Sequence, residues 1–125
     1  MAVTKSIVSP PLGTKLFIDA TTDTNSDAAE DNVTGGATNV KYIEIDNTSN
    51  GAATYVKLQN STNATPSSSV PDHVFYAAGS SKVAYVIETG IVFNTGLSYW
   101  GTSTAASGTS QTDPQVAVVS KILTG

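Results

Sequence analysis

The chain contains no cysteine and no arginine, a single methionine, tryptophan and histidine, and charged side chains at only 13% of its 125 positions. Without cysteine there is no disulfide framework, thiolate zinc site, thiol nucleophile or iron–sulfur ligation. Without arginine there is no guanidinium fork for bidentate reading of phosphate or guanine. Six lysines against ten carboxylates leave a net charge of −4, so no basic stripe marks a nucleic-acid surface. No stretch approaches the ~20 apolar residues of a membrane-spanning helix, and the first eight residues lack the apolar run of a signal peptide. Neither nucleic acid nor membrane is expected as a partner.

The chain is rich in small polar residues: 15 Ser and 18 Thr, with 8 Asn and 10 Gly. Leu and Glu are scarce while Val, Ile, Thr and Tyr are common, which is the composition of an all-β protein with many turns. The length suits one domain and buries roughly two thirds of the unfolded surface, enough for a core without cross-links.

Composition divides the chain at residue 37. Residues 1–37 hold two short apolar pieces, 3–8 and 15–19, separated by Pro10-Pro11-Leu12-Gly13. A polar tract with Asp23, Asp27, Glu30 and Asp31 follows and closes at Gly35-Gly36. Pro-Pro disfavours helix and central-strand pairing, so residues 3–8 read as an edge strand or an extended arm. Residues 38–125 read as the β domain. Residues 40–46 form a β run ended by Asn47-Thr48-Ser49-Asn50-Gly51. Asn-Gly is a hairpin signal, so residues 54–59 are expected to pair with that run. Further runs fall at 73–77, 82–88, 91–93, 97–105 and 115–123, with Gly90 and Gly96 marking bends. Seven or eight short antiparallel strands with turn signals between them predict a β-sandwich, jelly-roll-like, with an extended N-terminal arm.

The chemistry-bearing residues do not assemble into a catalytic pattern. His73 follows Asp72, but sequence neighbours rarely provide a Ser-His-Asp geometry, and a histidine opening a strand is expected at the rim, bonded to backbone or water. Asp23-Thr24-Asn25-Ser26-Asp27 opens like a calcium loop, yet Ala28 occupies the sharp-turn position and Thr34 that of the bidentate Glu. A solvated acidic loop and no metal are expected there. Asp46, Glu44, Asp72, Glu88 and Asp113 lie at strand ends or on polar faces, without an apolar pocket to raise one of their pKa values for glycoside hydrolysis. No Gly-rich loop leads from a strand into a helix to cradle phosphate. The expected reading is no enzyme and no cofactor. Tyr42, Tyr55, Phe75, Tyr76, Tyr85, Phe93, Tyr99 and Trp100 all fall in strand runs, where core or interface packing outweighs a sugar-binding platform. Adjacent Tyr99 and Trp100 point to opposite faces, so one of them is expected to meet a partner, together with Val3, Ile7 and Val8 of the arm.

Tyr42-Ile43-Glu44-Ile45-Asp46-Asn47-Thr48-Ser49-Asn50 followed by Ala53-Thr54-Tyr55-Val56-Lys57-Leu58 resembles small virion structural proteins of tailed bacteriophages. Pro71-Asp72, Gly79-Ser80 and Gly90-Ile91-Val92-Phe93-Asn94-Thr95-Gly96-Leu97 continue the likeness, which spans residues 38–123. The resemblance implies a β-sandwich building block of a virus particle, with no catalytic residues to carry over. The physical reading agrees: a Cys-free, sparsely charged sandwich suits symmetric assembly, and an arm can add a strand to a neighbour. The expected function is a capsid decoration (cement) protein of the virion, assembled in the host cytoplasm as a homotrimer that clamps the major capsid protein. The alternative is a tail or fibre component, or a module for adhesion to host-surface glycan.

Overall fold

The computed structural model describes residues 3–7, 13–24, 28–106 and 111–125. Among them are eight strands and no helix: β1 (Val3–Ile7), β2 (Lys15–Asp19), β3 (Thr38–Asp46), β4 (Thr54–Asn60), β5 (His73–Ala77), β6 (Lys82–Phe93), β7 (Leu97–Thr102) and β8 (Val119–Thr124). They form a β-sandwich of two antiparallel sheets. One has five strands in the order β1-β2-β8-β3-β6, the other three in the order β5-β4-β7. Period-two sequence explains the pairing of layers, since each strand turns alternate residues toward the opposite sheet. Val56 and Leu58 of β4 meet Ile43 and Ile45 of β3, Phe93 of β6, Leu97 and Tyr99 of β7, and Ile122 of β8 in one continuous core.

Two irregularities keep that core continuous. The inward residues of β3 are Val40, Ile43 and Ile45, a step of three and then of two. The register shift between Val40 and Tyr42 supplies the extra residue, with Val40 opposite Thr124 and Tyr42 opposite Leu123. On the other side Val40 faces Ile91 while Tyr42 faces Val86, so residues 87–90 of β6 stand opposite Lys41 alone. Gly90 takes φ +80 there, and a Cβ on it would lie 2.0 Å from Asn39 Oδ1. Residues 82–93 are therefore one interrupted strand, not two runs separated by a bend.

Residues 54–59 do not pair with residues 40–46. β3 and β4 lie in different sheets, and the Asn-Gly segment crosses between layers. A two-residue hairpin of the Asn-Gly kind needs positive φ at both central residues, whereas the positive-φ residues include neither Asn50 nor Gly51. Asn47 decides the geometry instead. Its buried side-chain amide donates to the carbonyls of Ala52, Ala77 and Ala78, and its Oδ1 accepts from Asn50 and Thr54. Asn50 then grips both backbone polar groups of Val116. The β3–β4 and β5–β6 crossings and the approach to β8 meet at this corner.

The first 37 residues supply strands to the sandwich. β1 is an edge strand, β2 sits between β1 and β8, and Phe17 is 4% exposed within the core. The compositional boundary at residue 37 thus falls between two strands of one sheet, and residues 3–7 pair with their own chain. A five-residue strand with one fully buried apolar side chain is too short to stand out by periodicity, and β8 provides its partner only in three dimensions. The final strand is also shorter than residues 115–123, because Val116 and Ala117 lie outside the ladder.

Candidate functional site

Tyr99 and Trp100 are each 1% exposed, so neither reaches a partner at the surface of the folded chain. They do point to opposite faces of β7: Tyr99 enters the core, and Trp100 packs outside the small sheet against Ala29 and Ala64. All six residues of β7 are buried because loop segments close over both its free edge and its outer face. Glu30 exchanges two backbone hydrogen bonds with Tyr99, Val33 donates to Leu97, and Gly101 donates to Asp23. The acidic tract, read as a solvated loop, is thus the cover of β7. Val3 packs half-buried against the core. Ile7 pairs with Lys15 at the end of β1, and Val8 lies outside the described residues.

The other candidates stay dispersed. His73 opens β5 and packs edge-on against Phe93 with ring centroids 5.8 Å apart. Asp72 accepts from the Asn60 amide, and Asp113 accepts from both the amide and the hydroxyl of Thr24. Glu44 is shared by Lys82 at 3.5 Å and Lys121 at 3.8 Å and accepts from Tyr42. Asp46 caps Thr48, whose amide and hydroxyl hold its carboxyl below the ordinary range. Asn25, Ser26 and Asp27 of the calcium-like run lie outside the described residues. Among those described, no cluster of three or more metal-ligating side chains occurs.

Two buried polar centres escaped sequence reasoning. Asp19, 1% exposed, accepts from the Tyr99 hydroxyl at 3.0 Å and from the Thr21 amide. Burial raises its pKa against those bonds, and burial with the Asp19 carboxylate raises that of Tyr99. Glu30 is raised by burial and by Asp19 beside it. On the outer face of β4, Lys57 is fully buried and donates to Thr104 O at 2.9 Å, Ala106 O at 2.7 Å and Gln111 Oε1 at 2.8 Å. Desolvation lowers its pKa. Both centres tie loops to strands and neither opens onto a cleft. A lysine alternating with Val56 and Leu58 reads as a solvated side chain, so only the fold brings Thr104, Ala106 and Gln111 over it.

What the fold leaves open is the flank opposite β7, where edge strands β5 and β6 lie together. Phase and contact agree: Tyr85 of β6 donates to the carbonyl of Tyr76 in β5, and the Phe75 and Tyr85 rings are 5.1 Å apart. Among the described residues six large hydrophobic side chains are exposed, and four of them lie on β5 and β6: Val74, Tyr76, Val86 and Val92. Val86 also ends an apolar row across the outer face of the large sheet, Leu16–Leu123–Tyr42–Val86, set by the strand registers. Val74 and Tyr76 alternate with the inward Phe75, and Val86 and Val92 with inward residues of β6, so these side chains face outward from the two sheets on either side of the flank. Exposed apolar residues gathered along a sheet margin suit a protein-binding surface. The sequence carried a faint signal of it, since Ala84, Val86 and Val92 are apolar at positions that alternate with the inward ones.

Comparison with protein-family models, curated proteins and solved structures finds no match to this chain.

Proposed function

We propose that the chain is a structural subunit of a tailed-phage virion, a capsid decoration protein that binds the head shell and stabilises contacts between capsomers. The observation that carries the reading is the open β5–β6 flank: an extended, apolar sheet margin fits another protein surface, not a small molecule. The resemblance over residues 38–123 supports it, because its motifs fall on the strands and corners that build the sandwich. The decoration role also suits the fastening of the chain's own loops. Ends held by Asn47, Asn50, Asn60 and Lys57 give a stiff block that loses little entropy on docking.

Particles assembled without the chain are expected to lose DNA at lower temperature than complete ones, and purified protein added back restores their tolerance. Unchanged heat and pressure tolerance overturns the reading. Glycan adhesion through Tyr99 or Trp100 has no such support, because both rings are enclosed.

A further inference from the structure

We infer that two copies of this chain associate through their β6 strands, edge to edge and antiparallel about a two-fold axis, joining two five-stranded sheets into one of ten. Natural sheets shorten, cover or charge their edges, because a bare edge is a template for another strand. β7 is covered by backbone pairing with Asp23, Glu30 and Val33, and β1 and β5 are five residues each. β6 is the longest of the edges, twelve residues interrupted at 87–90, and it leaves Val86 60% and Val92 68% exposed on its outer face.

Its sequence is self-complementary in one register. A two-fold axis perpendicular to the sheet keeps both cores on the same side only when inward residues oppose inward ones and outward residues oppose outward ones. With Tyr85 on the axis, Lys82 faces Glu88, Val83 faces Ile87 and Ala84 faces Val86. The exposed residues Lys82, Ala84, Val86 and Glu88 then form two ion pairs enclosing two apolar pairs. Sliding by two residues in either direction places Lys82 opposite Val86 or Gly90 and forfeits both charge pairs. The additional residues 87–90 end the regular ladder with β3 just past Val86, which bounds the paired stretch near Glu88. This two-fold contact differs from the homotrimer expected from sequence; it uses the β6 edge of the flank that carries the capsid reading, but its test requires no capsid.

Light scattering and native mass measurement of the purified full chain at micromolar concentration are expected to give twice 12.8 kDa. K82E and E88K each set like charges opposite one another twice and are expected to raise the dimer dissociation constant about tenfold. An equimolar mixture of the two variants restores both pairs, so a K82E–E88K heterodimer should regain the wild-type constant to within about threefold. Both side chains are exposed, but Lys82 also lies 3.5 Å from Glu44 of its own chain, so unchanged circular dichroism and thermal unfolding of each variant check that the fold survives. A wild-type monomer or trimer overturns the inference. So does a dimer that ignores both substitutions, or variants that fail to prefer one another in the mixture.

Discussion

A lysine ammonium taken out of water must regain its hydrogen bonds from the protein, and Lys57 does so with three oxygens of the β7–β8 connection and no carboxylate. The charge thereby fastens a polar segment, with little apolar content of its own, onto the small sheet. Lys57→Ala is expected to destabilise the fold by about 3 kcal/mol, through a cavity and three unmet acceptors. Lys57→Met refills most of the stem's volume but supplies no donor. If hydrogen bonding dominates, it recovers less than half the loss, and urea unfolding of the two variants decides this. Amide exchange in residues 111–113 should quicken in both. Trp100 presents the converse case: its indole N–H is buried without a hydrogen-bond partner among the described residues, so its value lies in area. Trp100→Phe is therefore expected to cost no more than about 1.5 kcal/mol, against about 3 or more for Trp100→Ala, measured the same way.

At the scale of elements, the corners decide the topology. Asn47 connects two crossings through five side-chain hydrogen bonds. Asn47→Ala is expected to cost about 2–4 kcal/mol, since the buried carbonyl of Ala77 and the carbonyls of Ala52 and Ala78 lose a donor. Asn47→Asp keeps the acceptor for Thr54 but repels those carbonyls, so thermal unfolding should place it no higher than the alanine variant. Gly90→Ala meets positive φ and the Asn39 side chain together, and about 1–3 kcal/mol is the expected loss. These corners also explain which parts of the fold were legible in the sequence. Alternation in β4, β6 and β8 shows faces, because burial imposes period two wherever one side of a strand is dry. It carries no information on which strand lies beside which. Asn47-Thr48-Ser49-Asn50-Gly51 has hairpin composition, yet a buried amide made it a crossing between layers. Tyr99 and Trp100 looked like interface residues for the same reason: Asp23, Glu30 and Val33 pair with β7 through their backbones and the small side chains of Ala29 and Ala64 cover Trp100, contacts that leave little apolar trace in the sequence. The open flank was only half legible, because Val86 looks ordinary until β6 proves to be an edge.

For the molecule as a whole, the sharpest consequence is a pH dependence centred on the Asp19 end of the sandwich. Asp19 is buried among Tyr99, Thr21 and Thr22, with Asp23 and Glu30 contributing negative charge nearby. Burial raises the folded-state pKa of Asp19 above its ordinary 3.8, and that of Glu30 above 4.5. A carboxyl raised in this way binds more protons folded than unfolded between its two values. Stability then increases as pH falls through the folded value, and the gain is complete once the ordinary value is passed. Asp46 runs oppositely: its lowered carboxyl loses stabilisation only as pH falls below 3.8 toward its folded value. Between neutrality and that point the buried carboxyls govern the sign. Asp19→Asn keeps an acceptor for the Tyr99 hydroxyl and removes the titration. The melting temperature of the wild type, relative to Asp19→Asn, should therefore rise as pH falls from neutrality toward 4. A difference that stays flat, or that falls, would show that the Tyr99 and Thr21 hydrogen bonds outweigh burial at Asp19. That outcome would reverse the sign assigned to this end of the molecule.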